Sequence, residues 1–320
     1  MSLLLSETDV QELLPMREAI AQVEASFLAQ ERGQAVNRPR QRIFLPQASL
    51  HYMAAALPEE KLIGMKVYTV TPSSMQFVVL LFSAENGHLL ALIEADHLGR
   101  IRTGAASGVA TRFLSRAESR RVGLIGAGRQ ARTQLEAVAS VRKIESARVY
   151  CRDETRRRDF CREMQQRLGV TVEPAENAEA AVRSQDIVVT ATNAREPVLS
   201  GEWLAAGAHV NAIGSNMPNR REMDDGVLAR AGLLTVDSIE QARKEAGDLI
   251  QGLTSSGRSW EQLVELHEVV ARARPGRQTA EEITLFKSCG IAIWDVAVGN
   301  YIYRQALQRG AGREIRSTSK

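Results

Sequence analysis

The stretch VGLIGAGRQA, residues 122–131, constrains this chain more than any other. Its apolar opening reads as a buried strand, and Gly126, Gly128 and Ala131 then follow in the spacing G-x-G-x-x-A. Each position has a physical task. Glycine at 126 allows the tight turn, glycine at 128 lets the backbone approach an anion closely, and a small residue at 131 lets the next helix pack on the strand. The N–H groups at the start of that helix carry positive partial charge and suit a pyrophosphate. Gly126, Gly128, Arg129, Gln130 and Ala131 are therefore candidate dinucleotide-binding residues.

The pattern alone is weak, and its surroundings strengthen it. After Val122 the chain alternates strand-like and helix-like segments: RVGLIG, a helix to about Val141, ARVYC, a helix to Leu168, VTVEP, a short helix, DIVVTAT, AHVNAIG and LLTVDS. This alternation predicts an α/β fold: a doubly wound parallel sheet of Rossmann type. Before residue 120 the pattern differs. A helix from about Met16 to Arg32 precedes the Arg/Pro stretch NRPRQRIFLP and four short apolar runs, LHYMAAAL, LIGMKVYTV, FVVLLFSA and HLLALIEA. Such runs read as a largely antiparallel sheet, so a second, α+β domain is expected. The helix LGRIRTGAASGVATRFL follows, and the polar SRAESRR marks a boundary. Near the end, Ile291, Trp294, Val298, Tyr301 and Ile302 share a helix face that is expected to return to the first domain, leaving the tail GAGREIRSTSK loose. The expected domains are 1–118 with 292–320, and 119–291.

Several function classes drop out on composition. The 41 basic and 38 acidic residues are interspersed, giving a net charge of +3 without the basic stripe that nucleic-acid binding needs. The 3 cysteines, Cys151, Cys161 and Cys289, show no C-x-x-C spacing, so no disulfide framework or metal site is expected and a reducing cytoplasm fits. The N-terminal MSLLLSETDVQELL lacks a basic n-region and reads as a strand and a helix start rather than a signal peptide. No apolar run reaches the roughly 18 residues that span a bilayer, so no membrane partner is expected.

Cofactor choice is read about 20 residues past the glycines, where an acid would bind the ribose hydroxyls and favour NAD. The sequence there is VYCRDETRRR. Cys151 and Arg152 hold the expected places, Asp153 arrives late, and Arg156, Arg157 and Arg158 follow. Guanidinium groups match a 2′-phosphate in charge and shape, which favours NADP(H), while Asp153 keeps NAD(H) open.

A few cations stand out by their neighbours. Lys66 lies inside the apolar LIGMKVYTV in a chain with six lysines, and Arg102 sits among small residues. A buried cation wants an anionic partner, so both are candidates for binding an anion, with a strand-surface lysine and a structural ion pair as the plain alternatives. Arg40 and Arg42 occupy an extended segment and could equally be solvated. His51 and His209 read as satisfied core or edge histidines.

The ordered motifs GMKVYT, IRTGAASGVAT, VGLIGAGRQA, DIVVTATNAREPVL, HVNAIGSNMPNRREMD and TLFKSCGIAIWD resemble the ornithine cyclodeaminase/mu-crystallin family over nearly the whole chain. The resemblance implies a homodimer whose first domain, completed by the last helix, binds substrate and pairs with its twin. It implies that the carboxylate of a small anionic amino or imino acid meets Lys66, Arg102 and one arginine of NRPRQR, either Arg42 or Arg40. It extends the cofactor-binding set to Thr103, to Thr190, Ala191 and Thr192 beside the nicotinamide, and to Gly214, Ser215, Lys287 and Ser288. The family holds several activities: ornithine cyclodeaminase, alanine dehydrogenase, reductases of cyclic ketimines, and crystallins that mainly bind ligand. Cyclodeaminases carry an aspartate where this chain has Asn216. An amide cannot act as a base toward the distal ammonium of ornithine. The expectation is therefore an NAD(P)H-dependent reductase of a cyclic imino acid such as pyrroline-2-carboxylate or piperideine-2-carboxylate, with Lys66 and Asn216 as catalytic candidates. Ornithine cyclodeamination, an alanine-type dehydrogenase and a non-catalytic binder are the alternatives.

Overall fold

The computed structural model describes residues 2–315. The chain divides into two compact units, Met1–Arg102 with Ile291–Lys320, and Thr103–Gly290. Each has its own sheet.

The first unit holds a 7-stranded mixed sheet in the order Arg313–Ile315, Ser2–Leu5, Leu89–Glu94, Met75–Ser83, Leu62–Val70, Ser49–Leu57, Val36–Phe44. The last five are joined antiparallel, as the broken apolar runs predict, whereas Ser2–Leu5 pairs parallel with Leu89–Glu94. Alternation along Ser49–Leu57 buries residues 51, 53, 55 and 57 on one face. The helix Ala292–Arg309 packs against this sheet and against the helix Met16–Glu31. Its Trp294 is fully buried and meets the ring of Phe27 edge-on at 5.5 Å. Gly64 makes that approach available, since an added Cβ would come within 2.8 Å of Val296.

Two features of this unit differ from the sequence-based picture. The tail GAGREIRSTSK is not loose throughout: Arg313–Ile315 pairs antiparallel with Ser2–Leu5. Leu3 and Leu5 point into the core, and the tail covers a sheet edge that would otherwise be open. Residues 316–320 lie outside the described residues. The Arg/Pro stretch, in turn, is a true edge strand, Val36–Phe44, where Pro39 is tolerated because of its edge position and a bulge between Arg38 and Gln41. The bulge shifts the alternation, so that the inward positions are 37 and 39 before it and 40 and 42 after it.

The second unit holds an 8-stranded sheet in the order Leu263–Glu265, Ala231–Val236, Ile283–Lys287, His209–Ala212, Ile187–Thr190, Arg121–Ile125, Ser146–Tyr150, Thr171–Pro174. Every pairing is parallel, as the strand–helix alternation predicts. The chain starts at the central Arg121–Ile125, winds out through Ser146–Tyr150 and Thr171–Pro174, then returns to Ile187–Thr190 on the other side. That reversal opens a crevice at the carboxyl ends of Arg121–Ile125 and Ile187–Thr190, where ligands of such sheets bind. Apolar side chains fill both faces: Leu124, Leu135, Val138 and Phe160 in one cluster, Val188, Val210 and Leu285 in another. The short strand Leu263–Glu265 escaped the sequence reading, and Ile283–Lys287 entered it only as a strand end at Lys287 and Ser288. Among the described residues no helix is long and apolar enough to cross a membrane.

Gly123 lies in the central strand, and a Cβ there would come within 2.3 Å of the Ala181 carbonyl oxygen. Gly123→Ala is expected to cost about 1–3 kcal/mol of stability. The same change at Gly128, where an added Cβ meets no protein atom within 4 Å, should cost less than about 1 kcal/mol. Denaturant midpoints of the two variants check the contrast.

Candidate functional site

The crevice of the parallel-sheet unit is shaped by backbone. Gly126 turns with φ +118°, and a Cβ there would come within 2.4 Å of the Ala191 carbonyl oxygen, so the two loops meet at backbone distance. Gly128 is the N-cap of the helix Arg129–Val141 and provides no side-chain cap. With nothing within 4 Å of its missing Cβ, space lies open beside the helix N-terminus. That open cradle at unsatisfied N–H groups is what a pyrophosphate requires, so the residues present fit a dinucleotide. Ala131 is buried, as close helix–strand packing demands, while Arg129 is exposed and Gln130 half-buried.

A buried acid ties the loops on the other side of the crevice. Glu222 accepts hydrogen bonds from the Thr192 N–H and hydroxyl at 2.7 Å each, from the Thr190 hydroxyl at 3.0 Å and from the Gly214 N–H at 2.6 Å. Burial pushes its carboxyl above the usual range while Lys287 pulls the other way. Asp248 accepts from the N–H groups of Glu222 and Met223 at 2.6 and 3.0 Å and pairs with Lys287 at 2.9 Å. Lys287 also donates to the Ser215 carbonyl at 2.7 Å. Burial opposes the charge on Lys287, but Asp248, Cys289 and Glu222 more than offset it and hold the ammonium above its ordinary value. Ser288 donates to Asp237 at 2.9 Å, and the same carboxylate oxygen takes the N–H groups of Cys289 and Gly290. Thr190, Thr192, Gly214, Ser215, Lys287 and Ser288 therefore belong to a connected scaffold at the strand ends. Ala191 is half-buried between the two threonines, and Asn216 is half-buried after Ser215.

At the end of Ser146–Tyr150, Arg152, Asp153 and Arg156 are exposed and Cys151 is half-buried. Asp153 caps the helix Glu154–Leu168, accepting from the Arg156 N–H at 2.9 Å. Arg157 turns inward, donating to the Cys151 carbonyl at 3.1 Å with its guanidinium over the Tyr150 ring. Arg158 pairs with Glu154 at 2.6 Å. Among the described residues neither Arg152 nor Arg156 pairs with an acid.

The mixed-sheet unit gathers a second group. Leu62, Gly64 and Lys66 alternate inward along Leu62–Val70, which sets the Lys66 ammonium 2.9 Å from Asp295 of the helix Ala292–Arg309. The same Asp295 oxygen accepts from Arg102 Nε at 3.0 Å. Arg40, Lys66 and Arg102 are 5%, 3% and 5% exposed, and Asp295 is 0% exposed. Gly99 leaves room for the ammonium, because a Cβ there would sit 2.6 Å from Lys66 Nζ. Lys66 also lies over the Phe77 ring and Arg102 over that of Trp294. Burial, with Arg102 and Arg40 adding to it and Asp295 resisting, brings the Lys66 pKa down to about 8. Lys66 and Arg102 share one oxygen of the Asp295 carboxylate, and among the described residues Arg102 Nη1 is buried without a hydrogen-bond partner. Such a group can take an anion.

Arg40 belongs to this group, and its Nη2 approaches Met53 Sδ at 3.7 Å. Arg42, on the same face but nearer the exposed end of the strand, instead donates to His51 Nδ1 at 3.2 Å. His51 stacks on Tyr68 at 4.5 Å, and burial, with Arg42 and Arg40, lowers its pKa to about 4. His209 is buried between Thr284 and Asn211 and is lowered to about 3. Both histidines are satisfied neutral groups. Thr103, buried, follows Arg102 in the helix Asp96–Leu114, and the two fall in different units.

The sequence model of the ornithine cyclodeaminase/mu-crystallin family matches residues 1–310. The chain belongs to this family. It is 36% identical to a delta(1)-pyrroline-2-carboxylate reductase of Bacillus cereus, over 98% of this chain and 99% of that one. Among solved structures, delta(1)-pyrroline-2-carboxylate reductase of Thermococcus litoralis, in complex with NADH and L-proline, is similar with TM-score 0.94 and 38% identity, covering 98% of this chain and 100% of that one. An archaeal alanine dehydrogenase dimer with bound NAD gives TM-score 0.93 and 33% identity, over 98% and 99% of the two chains.

For this member of the ornithine cyclodeaminase/mu-crystallin family, the acids were the residues that sequence reasoning missed. Asp295 had a legible signal: it is a lone acid in the apolar run GIAIWDVAVG, the same anomaly that marked Lys66. Glu222, Asp237 and Asp248 had none, since they occur in ordinary polar stretches. Glu222→Gln replaces an acceptor with a donor among four donors. It is expected to cost about 1–3 kcal/mol of stability and to weaken dinucleotide binding more than imino-acid binding. Thermal melts and titrations with each ligand check this.

Proposed function

We propose that the chain is an NAD(P)H-dependent reductase of a small cyclic imino acid of the pyrroline-2-carboxylate or piperideine-2-carboxylate type. The observation that carries this reading is the buried pair of cations, Lys66 and Arg102, on Asp295, with Arg102 Nη1 left without a hydrogen-bond partner among the described residues. The relatives from Bacillus cereus and Thermococcus litoralis, both named for this reaction, support it. The mixed-sheet unit binds the substrate and pairs with its twin, and the parallel-sheet unit takes the cofactor.

The nicotinamide supplies a hydride. Gly126, Gly128, Arg129, Gln130 and Ala131 would hold the pyrophosphate, and the scaffold of Thr190, Ala191, Thr192, Gly214, Ser215, Lys287 and Ser288, with Thr103, would keep the loops around it in place. Arg102 and Arg40 hold the substrate carboxylate by charge-assisted hydrogen bonds. Lys66 is protonated at neutral pH and gives its Nζ proton to the imine nitrogen as that nitrogen becomes an amine. Water restores the proton afterwards. Asn216, a neutral amide, leaves no base for ornithine's distal ammonium, which argues against cyclodeamination.

Mixed with pyrroline-2-carboxylate and a reduced nicotinamide cofactor, the protein should consume the cofactor's absorbance and form proline, whereas ornithine should release little ammonia. The kcat/KM for reduction should fall as pH rises through about 8, where Lys66 loses its proton. Lys66→Met or Arg102→Met should abolish turnover or raise KM steeply while dinucleotide affinity stays put. Rapid ammonia release from ornithine would hand the function to the cyclodeaminase alternative.

The reading extends to NADPH as the preferred cofactor, a homodimer and a cytoplasmic location. Arg152 and Arg156 are open to a 2′-phosphate, while the Asp153 carboxylate is occupied as a helix cap. The dimeric archaeal relative supports self-association. Arg152→Ala should erode the preference for NADPH over NADH by roughly tenfold to a hundredfold. Equal kcat/KM for both cofactors in the unmodified protein would count against it.

A further inference from the structure

Asp295 joins two buried cations through a single oxygen, Oδ1, at 2.9 Å from Lys66 and 3.0 Å from Arg102. Its other oxygen, Oδ2, is buried with no hydrogen-bond partner, so its hydrogen bonding is directed wholly at the two cations. The surroundings of Lys66 are otherwise apolar or cationic. Arg102 faces it from the helix Asp96–Leu114 and Arg40 from the strand Val36–Phe44. Its neighbours across the sheet are Met53 and Val79, with the Phe77 ring at 5.4 Å and Gly99 beside the ammonium. Without Asp295, buried Lys66 would lose its paired carboxylate while the charges of Arg102 and Arg40 still opposed its own.

We propose that Asp295 is a positioning residue for the proposed reduction: its Oδ1 aims the Lys66 ammonium and supplies the negative charge that lets Lys66 and Arg102 share the site. Three consequences follow. Lys66 can keep a proton to donate at neutral pH. Arg102 is braced through Nε, leaving Nη1 for the substrate. One carboxylate between Lys66 and Arg102 leaves a net positive charge to hold the substrate's own carboxylate. In the Lys66 environment, the charge of Asp295 and its hydrogen bond are the influences that favour the ammonium, against burial, Arg102 and Arg40. The inference rests on the proposed reductase reading, in which Lys66 is the proton donor.

The test separates charge from shape. Asp295→Asn keeps an oxygen acceptor at nearly constant volume and removes the charge, whereas Asp295→Glu keeps the charge and moves it. Lysine labelled with a carbon isotope at Cε gives one NMR titration for each of the six lysines, and Lys66→Arg identifies the signal of Lys66. The Lys66 midpoint should fall by about 1–3 pH units in Asp295→Asn and stay close to the original in Asp295→Glu. In activity, the alkaline limb of the kcat/KM profile should move down by the same amount, with the affinity for cofactor unchanged. A merely structural role would lower activity at every pH without moving the limb. An unmoved midpoint in folded Asp295→Asn overturns the proposal. Should that variant fail to fold, Asp295→Glu decides: a midpoint within about half a unit of the original together with a lowered kcat supports it, and a midpoint lowered by a unit or more overturns it. The titration needs no turnover, so a Lys66 midpoint that moves as described in a protein unable to reduce the imine refutes the reductase reading, while active protein with an unmoved midpoint refutes this inference alone.

Discussion

Burying an ionised side chain costs several kcal/mol unless another charge and hydrogen bonds answer it, and both units of this chain are organised around that condition. In the parallel-sheet unit the answer is complete at the crevice. Glu222 collects four hydrogen bonds, Asp248 meets Lys287, and Asp237 collects the turn that ends the strand Ile283–Lys287. These bonds join loops that follow different strands, so the crevice holds its shape through contacts made behind it. In such a sheet the strand ends are where loops must be held, because the sheet itself controls only what precedes them.

In the mixed-sheet unit the answer is incomplete. Asp295 offsets one positive charge, and Lys66 and Arg102 bring two to it. The balanced network makes a scaffold and the unbalanced one makes the proposed binding site, although both use the same residue types. The packing agrees: glycines at 64 and 99 bring a helix onto the sheet and clear space for the ammonium, which is a steep constraint to place around a charge. The buried histidines confirm the contrast, being neutral, hydrogen-bonded and far from imposing any charge.

Membership of the ornithine cyclodeaminase/mu-crystallin family narrows the chemistry without selecting it, because a fold hosts several reactions and the site chooses among them. Here the discriminating features are small. In the proposed reading, one amide, Asn216, replaces the acid that would manage a second amine, and exposed Arg152 replaces the acid that would favour an unphosphorylated ribose.

Much of this was legible in the amino-acid order, because it depends on neighbours in the chain. The G-x-G-x-x-A turn, the alternation that forms the parallel sheet and the anomaly of Lys66 in an apolar strand are local patterns, set by side-chain period and backbone sterics. Arg102 was visible in the same way. What the tertiary structure alone decided is which groups meet across long stretches of chain. The partner of Lys66 lies 229 residues away, and the donors to Glu222 come from two separate loops. Arg40 lies near Lys66 and Arg42 against His51 because of a bulge and of depth along an edge strand, since both share a face. The tail strand Arg313–Ile315 depended on an open edge at the other end of the chain. Periodicity carries no information about such pairings, because they are fixed by where the folded sheets bring distant residues and by the need of each buried charge for a partner.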